Sequence, residues 1–328
     1  SAYYIRNPFF LHYFKEKCII FNMYKVKGGS MNFFQRNANY IVILAVMASS
    51  TSGIFSKLIT ANSMTIGFYR LTFSLPLFML PVLINKRQEI KAIAKRDIFI
   101  SMAGGVFLFV HFFCWFTAVK YTTIASGVTI AALHPIIVMI ITVVLLKRKV
   151  SAMAVCGILT AIFGGSMVAG FDYSFNSENN LGNLLALGSA IGMGIYFAIG
   201  NQMRKKISSS VYISILFATC WVLFLIGMMI TNTPFFGYPK TDWLWLILAT
   251  VFCQLAAHGV FNWSMAYVSS LFVSALETGE IVFAAIIAYF IFGEMPTDWQ
   301  CIGAAVVIVG LLLYNYSEGK ERKNELQG

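Results

Sequence analysis

The chain has 328 residues, of which 59% are hydrophobic and only 11% are charged, and its mean hydropathy is +0.75. Soluble domains carry about 25% charged residues, so this composition excludes an ordinary soluble domain and indicates a protein integrated in a membrane. The formal net charge of +11 does not indicate nucleic-acid binding, because the basic residues fall between hydrophobic segments. The six cysteines lack paired spacing, so neither a disulfide framework nor a metal site is predicted.

Residues 1–38 form an N-terminal extension ahead of the first apolar window. The segment is aromatic and basic, and charge interrupts it too often for it to span a membrane. Directly before Met31 stands Lys27-Gly28-Gly29-Ser30, which resembles a purine-rich ribosome-binding site translated in frame. We therefore predict that the first 30 residues or so are a non-native upstream segment. The alternative interpretation is an amphipathic anchor lying in the membrane interface.

Ten windows of about 20 apolar residues follow, and each is long enough to cross the hydrocarbon core of a bilayer as a helix. They predict an all-α polytopic membrane protein with ten transmembrane helices, at residues 39–59, 64–84, 98–119, 122–146, 151–170, 182–202, 210–231, 242–264, 269–293 and 297–317. The connections are too short to hold a soluble domain, and residues 318–328 form a tail.

The basic residues fall in alternate connections, which determines the predicted orientation in the membrane. One set of connections and the tail carries most of them: Lys86, Arg87, Lys91, Lys95, Arg96, Lys147, Arg148, Lys149, Arg204, Lys205, Lys206, Lys320, Arg322 and Lys323. The opposite set carries only Lys120 and Lys240, with Lys57 near the end of its helix. Cytoplasmic loops are enriched in Lys and Arg, so we predict a multi-pass protein of the bacterial cytoplasmic membrane with both termini in the cytoplasm.

A shift of 146 residues reveals an internal repeat. It superimposes a sparse set of identical residues: Tyr121 on Tyr267, Ile140 on Ile286, Gly157 on Gly303, Ile162 on Ile308 and Gly164 on Gly310. We predict two five-helix halves, residues 39–170 and 182–317. Because five is odd, the halves have opposite orientations, an inverted repeat of the kind that secondary carriers use for alternating access. Helices 1–4 and 6–9 are expected to line a central cavity, with helices 5 and 10 behind it or at a dimer surface.

Several stretches carry a resemblance to a known family: Phe55-Ser56-Lys57, Phe68-Tyr69-Arg70, residues 115–121, His134-Pro135, residues 182–188 and residues 279–294. Through them the chain resembles the drug/metabolite transporter (DMT) superfamily, and specifically its ten-helix EamA-type members, over about residues 39–316. The resemblance implies a small-solute carrier, in a family that includes carriers of amino acids, nucleotide sugars, drugs and other metabolites. Ile281 stands where the family usually has a proline, so we expect helix 9 to lack the corresponding kink.

Glu277 and Glu280 stand in the middle of an apolar segment, where a charged side chain costs about 3 kcal/mol or more. Three residues apart on a helix, their carboxyl groups share one face. We predict that Glu280 binds a substrate amine or couples transport to protons, and that Glu277 tunes it. The alternative is that both are protonated and hydrogen-bonded to neighbouring helices.

His134 occupies the position on helix 4 that is equivalent to Glu280. We expect it to approach Glu280 across the pseudo-two-fold axis, where substrate sites form in inverted repeats. Such a pair relays a proton or orients a carboxylate. The alternative is a neutral histidine that bonds a backbone carbonyl freed by Pro135.

Further candidates for substrate contact lie on helices 3 and 8: His111 with Trp115, and His258 with Asn262. Aromatic walls with a few polar groups are typical of small-molecule pockets; as structural residues these side chains join helices instead. Three residues are assigned gating or structural roles: Arg70, Lys57 and Tyr69. In a gate, the arginine pairs with an acid or contacts a carboxylate, whereas the lysine is expected to extend its ammonium group to the lipid headgroups.

The sequence therefore predicts a secondary transporter that exports an amino acid or related small metabolite through a midplane cavity, with proton coupling left open. Its partners are a small-molecule substrate, membrane lipid and, if coupling occurs, protons, and it acts as a monomer or homodimer. One alternative is an importer or exchanger of a larger solute such as a nucleoside or sugar conjugate. A membrane enzyme or sensor is the other, but the sequence contains no nucleotide-binding loop, metal-ligand cluster or nucleophile–base pair, so neither catalysis nor a cofactor is predicted.

Overall fold

A computed structural model of the protein describes residues 37–122, 124–168, 177–292 and 297–327. The predicted N-terminal extension lies outside these residues, apart from its last two positions. The described part of the chain is helical and contains no strand. Within these described residues, eight helices are long and apolar enough to cross a membrane, and two shorter apolar helices span Ala152–Val168 and Cys301–Ser317. The prediction of an all-α polytopic membrane fold is confirmed.

Ten helical segments can be followed in chain order through the part of the chain that the structure describes. They are α1 (Ala38–Ser49 and Ser52–Leu58), α2 (Ser63–Asn85), α3 (Lys95–Tyr121), α4 (Ile124–Ala131, His134–Ile140 and the π-helical Ile141–Leu145), α5 (Ala152–Val168), α6 (Ser177–Met203), α7 (Ser209–Ile230), α8 (Lys240–Ala249, the π-helical Thr250–Gly259 and Val260–Ser264), α9 (Ser270–Glu277 and Glu280–Phe292) and α10 (Asp298–Gln327). A short helix, Arg87–Ala92, lies between α2 and α3. We call the side that carries connections 86–94, 146–151 and 204–208 the basic side, and the other the opposite side.

α4 and α9 are interrupted at equivalent places of the repeat. α4 breaks at Ala132 and Leu133, and α9 breaks 146 residues later, at Thr278 and Gly279. Both breaks are tightened turns, in which backbone amides bond carbonyls three residues back, as Leu133 does to Ile130 and Gly279 to Leu276. The expectation that α9 lacks a kink because Ile281 replaces a proline is wrong. Glycine is a poor helix former, and the break in α9 passes through Gly279 instead.

The two halves pack in a reciprocal way. α3 packs along α6, and its repeat equivalent α8 packs along α1, while α2 meets α7 and α5 meets α10. Exchanging the halves therefore leaves the set of contacts unchanged, as a pseudo-two-fold axis requires. Five spans per half give the second half the opposite direction across the membrane.

Four glycines let the backbones of α5 and α10 touch. A Cβ placed on Gly157 would lie 2.8 Å from the carbonyl oxygen of Gly310, and one on Gly164 would lie 2.7 Å from that of Gly303. In a two-fold interface residue i meets the mate of residue j, and j meets the mate of i. The glycines follow this rule with the 146-residue offset, so they mark the axis and hold these two helices together behind the cavity.

We predict that Gly303→Ala and Gly310→Ala each lower the thermal unfolding midpoint of the detergent-solubilised protein by several degrees. The added methyl group at Gly310 would lie 2.4 Å from the backbone nitrogen of Ala161, so the helices must separate, and overpacking of this kind costs about 1–3 kcal/mol. Ala305 is exposed on the same helix, so Ala305→Val is the matched control and should leave the midpoint unchanged. Equal midpoints for all variants would contradict the role given to the crossing.

Candidate functional site

A small cavity lies where the breaks of α4 and α9 meet α1, α3, α6 and α8. Its walls are Ser49, Ser52, His111, Phe112, Trp115, Val128, Ala131, Ala132, His134, Met193, Cys253, His258, Glu277 and Glu280. It offers about 40 Å³ to the centres of water molecules, which is room for a few waters. The expectation that helices 1–4 and 6–9 all line it needs correction, since α2 and α7 contribute no wall residue among the described side chains.

Glu280 begins the second half of α9 and contacts the break in α1. The hydroxyl oxygen of Ser49 lies 3.2 Å from Oε2 of Glu280 and 3.1 Å from the carbonyl oxygen of Val46. A serine has one proton to donate. When Glu280 is ionised, Ser49 can donate to it; when Glu280 is protonated, it can donate to Ser49, which then donates to Val46. Both protonation states of Glu280 therefore keep a partner with no change of backbone.

His134 meets Glu277, not Glu280. Its Nε2 lies 3.1 Å from Oε2 of Glu277, at ion-pair distance although the two are not aligned as a hydrogen bond, and both side chains are buried. The expected approach of His134 to Glu280 is therefore wrong in its partner. At a two-fold crossing a residue contacts the mate of its neighbour one turn away, and Glu277 is the mate of Ala131, one turn before His134.

The tautomer of His134 follows from its second contact. Its Nδ1 lies 2.9 Å from the carbonyl oxygen of Ala131, and because a carbonyl only accepts, Nδ1 must carry the hydrogen. Nε2 then faces Glu277.

His111, Trp115 and His258 form the polar and aromatic part of the wall. His111 Nδ1 contacts the carbonyl oxygen and the hydroxyl of Ser189 at 3.1 and 2.9 Å, and Trp115 Nε1 donates to Ser52 at 3.1 Å. The rings of His111 and His258 are 5.9 Å apart, and Nδ1 of His258 is buried without a hydrogen-bond partner. The structure thus brings His111, Trp115 and His258 together with the acids.

Asn262 lies one layer behind the cavity. Its amide nitrogen donates to the carbonyl oxygen of His258 at 2.7 Å and to the hydroxyl of Tyr196, and its backbone oxygen accepts from Arg204 at 3.0 Å. It therefore positions α6 and α8 and does not line the cavity. Its neighbour Trp263 is fully buried, so a place in the interfacial aromatic belt is excluded for it.

Arg70 is buried deep in α2, with 1% of its surface exposed, so its guanidinium does not reach the headgroups. Tyr69 also points away from the cavity: its hydroxyl donates to the carbonyl oxygen of Phe235, and its ring packs edge-on against Trp243. Lys57 is exposed at the opposite-side end of α1, as a lysine that extends to the headgroups must be.

On the opposite side a buried acid, Asp242, joins the halves. This fully buried side chain in the first turn of α8 accepts from the backbone amides of Thr60 and Ala61 at 3.1 and 3.0 Å and from the hydroxyl of Thr60 at 2.9 Å. Asn62 donates to Thr233 at 3.0 Å nearby. These contacts close the α1–α2 turn of one half onto the second half.

On the basic side, contacts of the same kind involve α3 and the α6–α7 connection. Asp97, in the first turn of α3, pairs with Lys206 at 3.0 Å, and Glu89 accepts from the backbone amide of Ser208 at 2.8 Å. Burial alone raises the pKa of Glu89, but the bonds from Ser208 and the charge of Lys86 outweigh it and hold the pKa of this carboxyl below its usual value. The contact is therefore retained at neutral pH and lost only as the pH falls through that lowered pKa.

Sequence reasoning missed Asp242, Gln254 and Cys253. Asp242 stands at the edge of an apolar window and looks like an ordinary helix-start acid, and Gln254 is a polar residue inside α8 that is fully buried. The position of Gln254 deep within a predicted span was a usable signal that its side chain is buried, because polar side chains there face the bundle interior. No comparable signal marks Cys253, since a cysteine in a span is ordinarily a small apolar residue.

Comparison with known proteins shows that the chain is similar to membrane transporters. A profile of the EamA-like transporter family matches residues 37–170 and again residues 180–316. The uncharacterized transporter YetK of Bacillus subtilis (strain 168) is 24% identical over 308 residues, which are 88% of this chain and 90% of YetK. The S-adenosylmethionine uptake transporter of Rickettsia prowazekii (strain Madrid E) is 23% identical over 295 residues, 86% of this chain and 94% of that protein. A solved crystal structure superposes with a TM-score of 0.71 at 16% identity, covering 87% of this chain and 98% of its own, which shows a shared fold.

We predict that His134→Leu and Glu277→Leu each destabilise the protein, since each leaves a buried polar partner alone. The double variant should lose less stability than the sum of the two, by about 2 kcal/mol or more, because replacing both partners with apolar groups removes the unpaired group. Unfolding midpoints of the four proteins in detergent give this coupling. His134→Leu with Asp242→Leu, which touch nothing in common, should be additive; additivity in the first pair would refute the contact.

Proposed function

We propose that this membrane transporter of small molecules, a chain that belongs to the EamA-like transporter family, exports an amino acid or a related small metabolite. One observation supports this most strongly: Glu280 stands at the meeting of two helix breaks, in a cavity with aromatic and hydroxyl walls. A carboxylate there suits the ammonium group of a small solute. Larger solutes with anionic groups, such as a sugar conjugate, would call for a basic cavity, whereas the carboxyl groups of Glu277 and Glu280 make this one acidic.

Alternating access is the mechanism we propose. Inverted repeats rock around a fixed midplane site, and the two sides here carry related contacts between the halves, at Asp242 on the opposite side and at Asp97 and Glu89 on the basic side. Releasing one set while keeping the other would open the cavity to one side at a time. The small cavity volume supports this, because a solute of amino-acid size needs such an opening to enter.

Coupling to protons is assigned to the acids of α9. Glu280 has hydrogen-bond partners in both protonation states through Ser49, so it can exchange a solute amine for a proton. The His134–Glu277 pair lies beside it in the wall of the cavity. Residue by residue, Glu280 is the binding or coupling group, Glu277 and His134 tune it, and His111, Trp115 and His258 contact the solute.

For location we propose the bacterial cytoplasmic membrane, with the basic side and both termini in the cytoplasm. The clustering of Lys and Arg in connections 86–94, 146–151 and 204–208 supports this orientation. Uptake is the second candidate for direction, favoured by the relative whose name is S-adenosylmethionine uptake transporter. An assay in intact cells separates the two directions. An exporter would release a preloaded solute, whereas an importer would accumulate it.

The first test is Glu280→Gln, measured in proteoliposomes with a panel of radiolabelled amino acids. Loss of the carboxylate should reduce transport at least about tenfold, the effect of one hydrogen bond to a charged group, while the thermal midpoint stays near that of the wild type. Asp298 is exposed, so Asp298→Asn is the matched control and should transport normally. Unchanged transport by Glu280→Gln would remove Glu280 from the site.

The second test concerns alternating access and uses crosslinks in a cysteine-free background. One pair joins contacting positions on the opposite side, Asn62→Cys with Thr233→Cys. The other joins contacting positions on the basic side, Glu89→Cys with Ser208→Cys. A short methanethiosulfonate crosslinker should stop transport in either pair, and reduction should restore it, because a carrier must open both sides in turn.

The control for this test is Ser151→Cys with Ser317→Cys, which joins the residue before α5 to α10 on the basic side, at a place separate from the contacts of Asp97 and Glu89. Crosslinking this pair should leave transport intact. Continued transport with the opposite side or the basic side crosslinked would show that rocking of the halves is not required.

A further inference from the structure

Arg70 is a buried cation with unused hydrogen-bond donors. Its Nε and Nη1 atoms have no hydrogen-bond partner, and Nη2 lies 3.4 Å from Oε1 of Gln254. No carboxylate among the described residues lies within ion-pair distance of it. Two aromatic faces meet the charge instead, with the ring centres of Phe112 and Phe116 at 5.0 and 4.8 Å from Cζ. Buried donors are rarely left unpaired, so these N–H groups are available to bind an anionic ligand.

The guanidinium adjoins the wall of the cavity. Phe112, whose ring it covers, is itself a wall residue. The same Phe112 ring packs against the wall residues His111 and His258, with ring centres 5.3 and 4.8 Å apart. The cavity therefore has an acid at one place and a cation one side chain behind its wall at another. Access from the cavity to the guanidinium would require the Phe112 ring to move.

We propose that Arg70 binds the carboxylate of a zwitterionic solute whose ammonium group is held by Glu280. This assignment rests on the proposed transport function and narrows its substrate class to solutes that carry both charges, of which α-amino acids are the smallest. The planar guanidinium offers paired N–H donors that match a carboxylate. A simple amine leaves these donors unsatisfied, so a site of this kind discriminates against it.

The test compares three amino acids with the amines that lack only their carboxylate: L-alanine with ethylamine, L-leucine with isoamylamine, and L-phenylalanine with phenethylamine. Calorimetry on the purified full chain gives the dissociation constants, and proteoliposome assays give transport. The wild type should bind at least one amino acid about tenfold or more tightly than its amine. In Arg70→Met, which keeps an unbranched apolar side chain over Phe112, that preference should fall to within about twofold, with amine binding unchanged.

Gln254→Glu provides a second test that keeps Arg70 in place. A carboxylate at this position gives the guanidinium an internal counter-ion, so it should raise the thermal midpoint and still abolish the preference for the amino acid. Gln254→Leu is the matched control, which adds no charge and should retain the preference. A purely structural arginine would give the gain in stability without the change in selectivity.

The outcomes separate this inference from the function it rests on. If Arg70→Met or Gln254→Glu keeps the preference of the wild type while amino acids are still transported, the inference fails and amino-acid transport stands. Equal binding of amino acids and amines by the wild type would also contradict the role given to Arg70. If the wild type neither binds nor transports any of the six compounds, the proposed amino-acid function fails, and the assignment of Arg70 fails with it.

Discussion

Within a bilayer every polar group must find a partner inside the protein, and the paired breaks of α4 and α9 are where this chain meets that constraint. Each break frees backbone carbonyls in the middle of the membrane. Ala131 gives its carbonyl to His134, and the remaining nitrogen of that ring faces Glu277. Without the breaks, the histidine and the acids would be less stable at this depth, because fewer polar partners would be available to them. The breaks and the polar residues therefore depend on each other, and the cavity exists because both are present.

The same constraint explains the structure around the cavity. The hydroxyls of Ser49, Ser50 and Thr51 bond carbonyls of their own helix, which satisfies the backbone where α1 is interrupted beside Glu280. In α8 a ten-residue π-helical stretch holds Cys253 and His258, and π-helical segments are frequent at functional sites. The first half has no such stretch in α3. The halves thus share one framework but differ at the residues that would recognise a solute.

The fold was readable from the sequence because membranes impose simple rules on length and charge. The 146-residue offset was readable from a few glycines and isoleucines. The glycines are identical in the two halves because α5 and α10 touch there, close to the axis. Contacts within the site were less accessible. His134 was expected to face Glu280, yet a two-fold crossing pairs it with the mate of a neighbour, and sequence alone does not say on which turn the helices cross. The roles of Asp242 and Gln254 depend on tertiary contacts with α1 and α2. The depth of Gln254 in its span indicated a buried position but not its partner, and nothing in the segment of Asp242 marked that residue.

Asp97 and Asp242 show how one repeated feature can serve both ends of a transport cycle. Each is the third residue of its helix, α3 or α8, and each holds the turn of the other half on its side of the membrane. Asp242 is fully buried and bonded to two backbone amides, whereas Asp97 is partly exposed and bonded to the long side chain of Lys206. Exposed ion pairs contribute little stability, about 1 kcal/mol or less, whereas a hydrogen bond to a buried charged group contributes about 1.5–3 kcal/mol. The contact at Asp242 is therefore the stronger of these two, and exchanging the two environments is the change that a rocking motion of the halves would require.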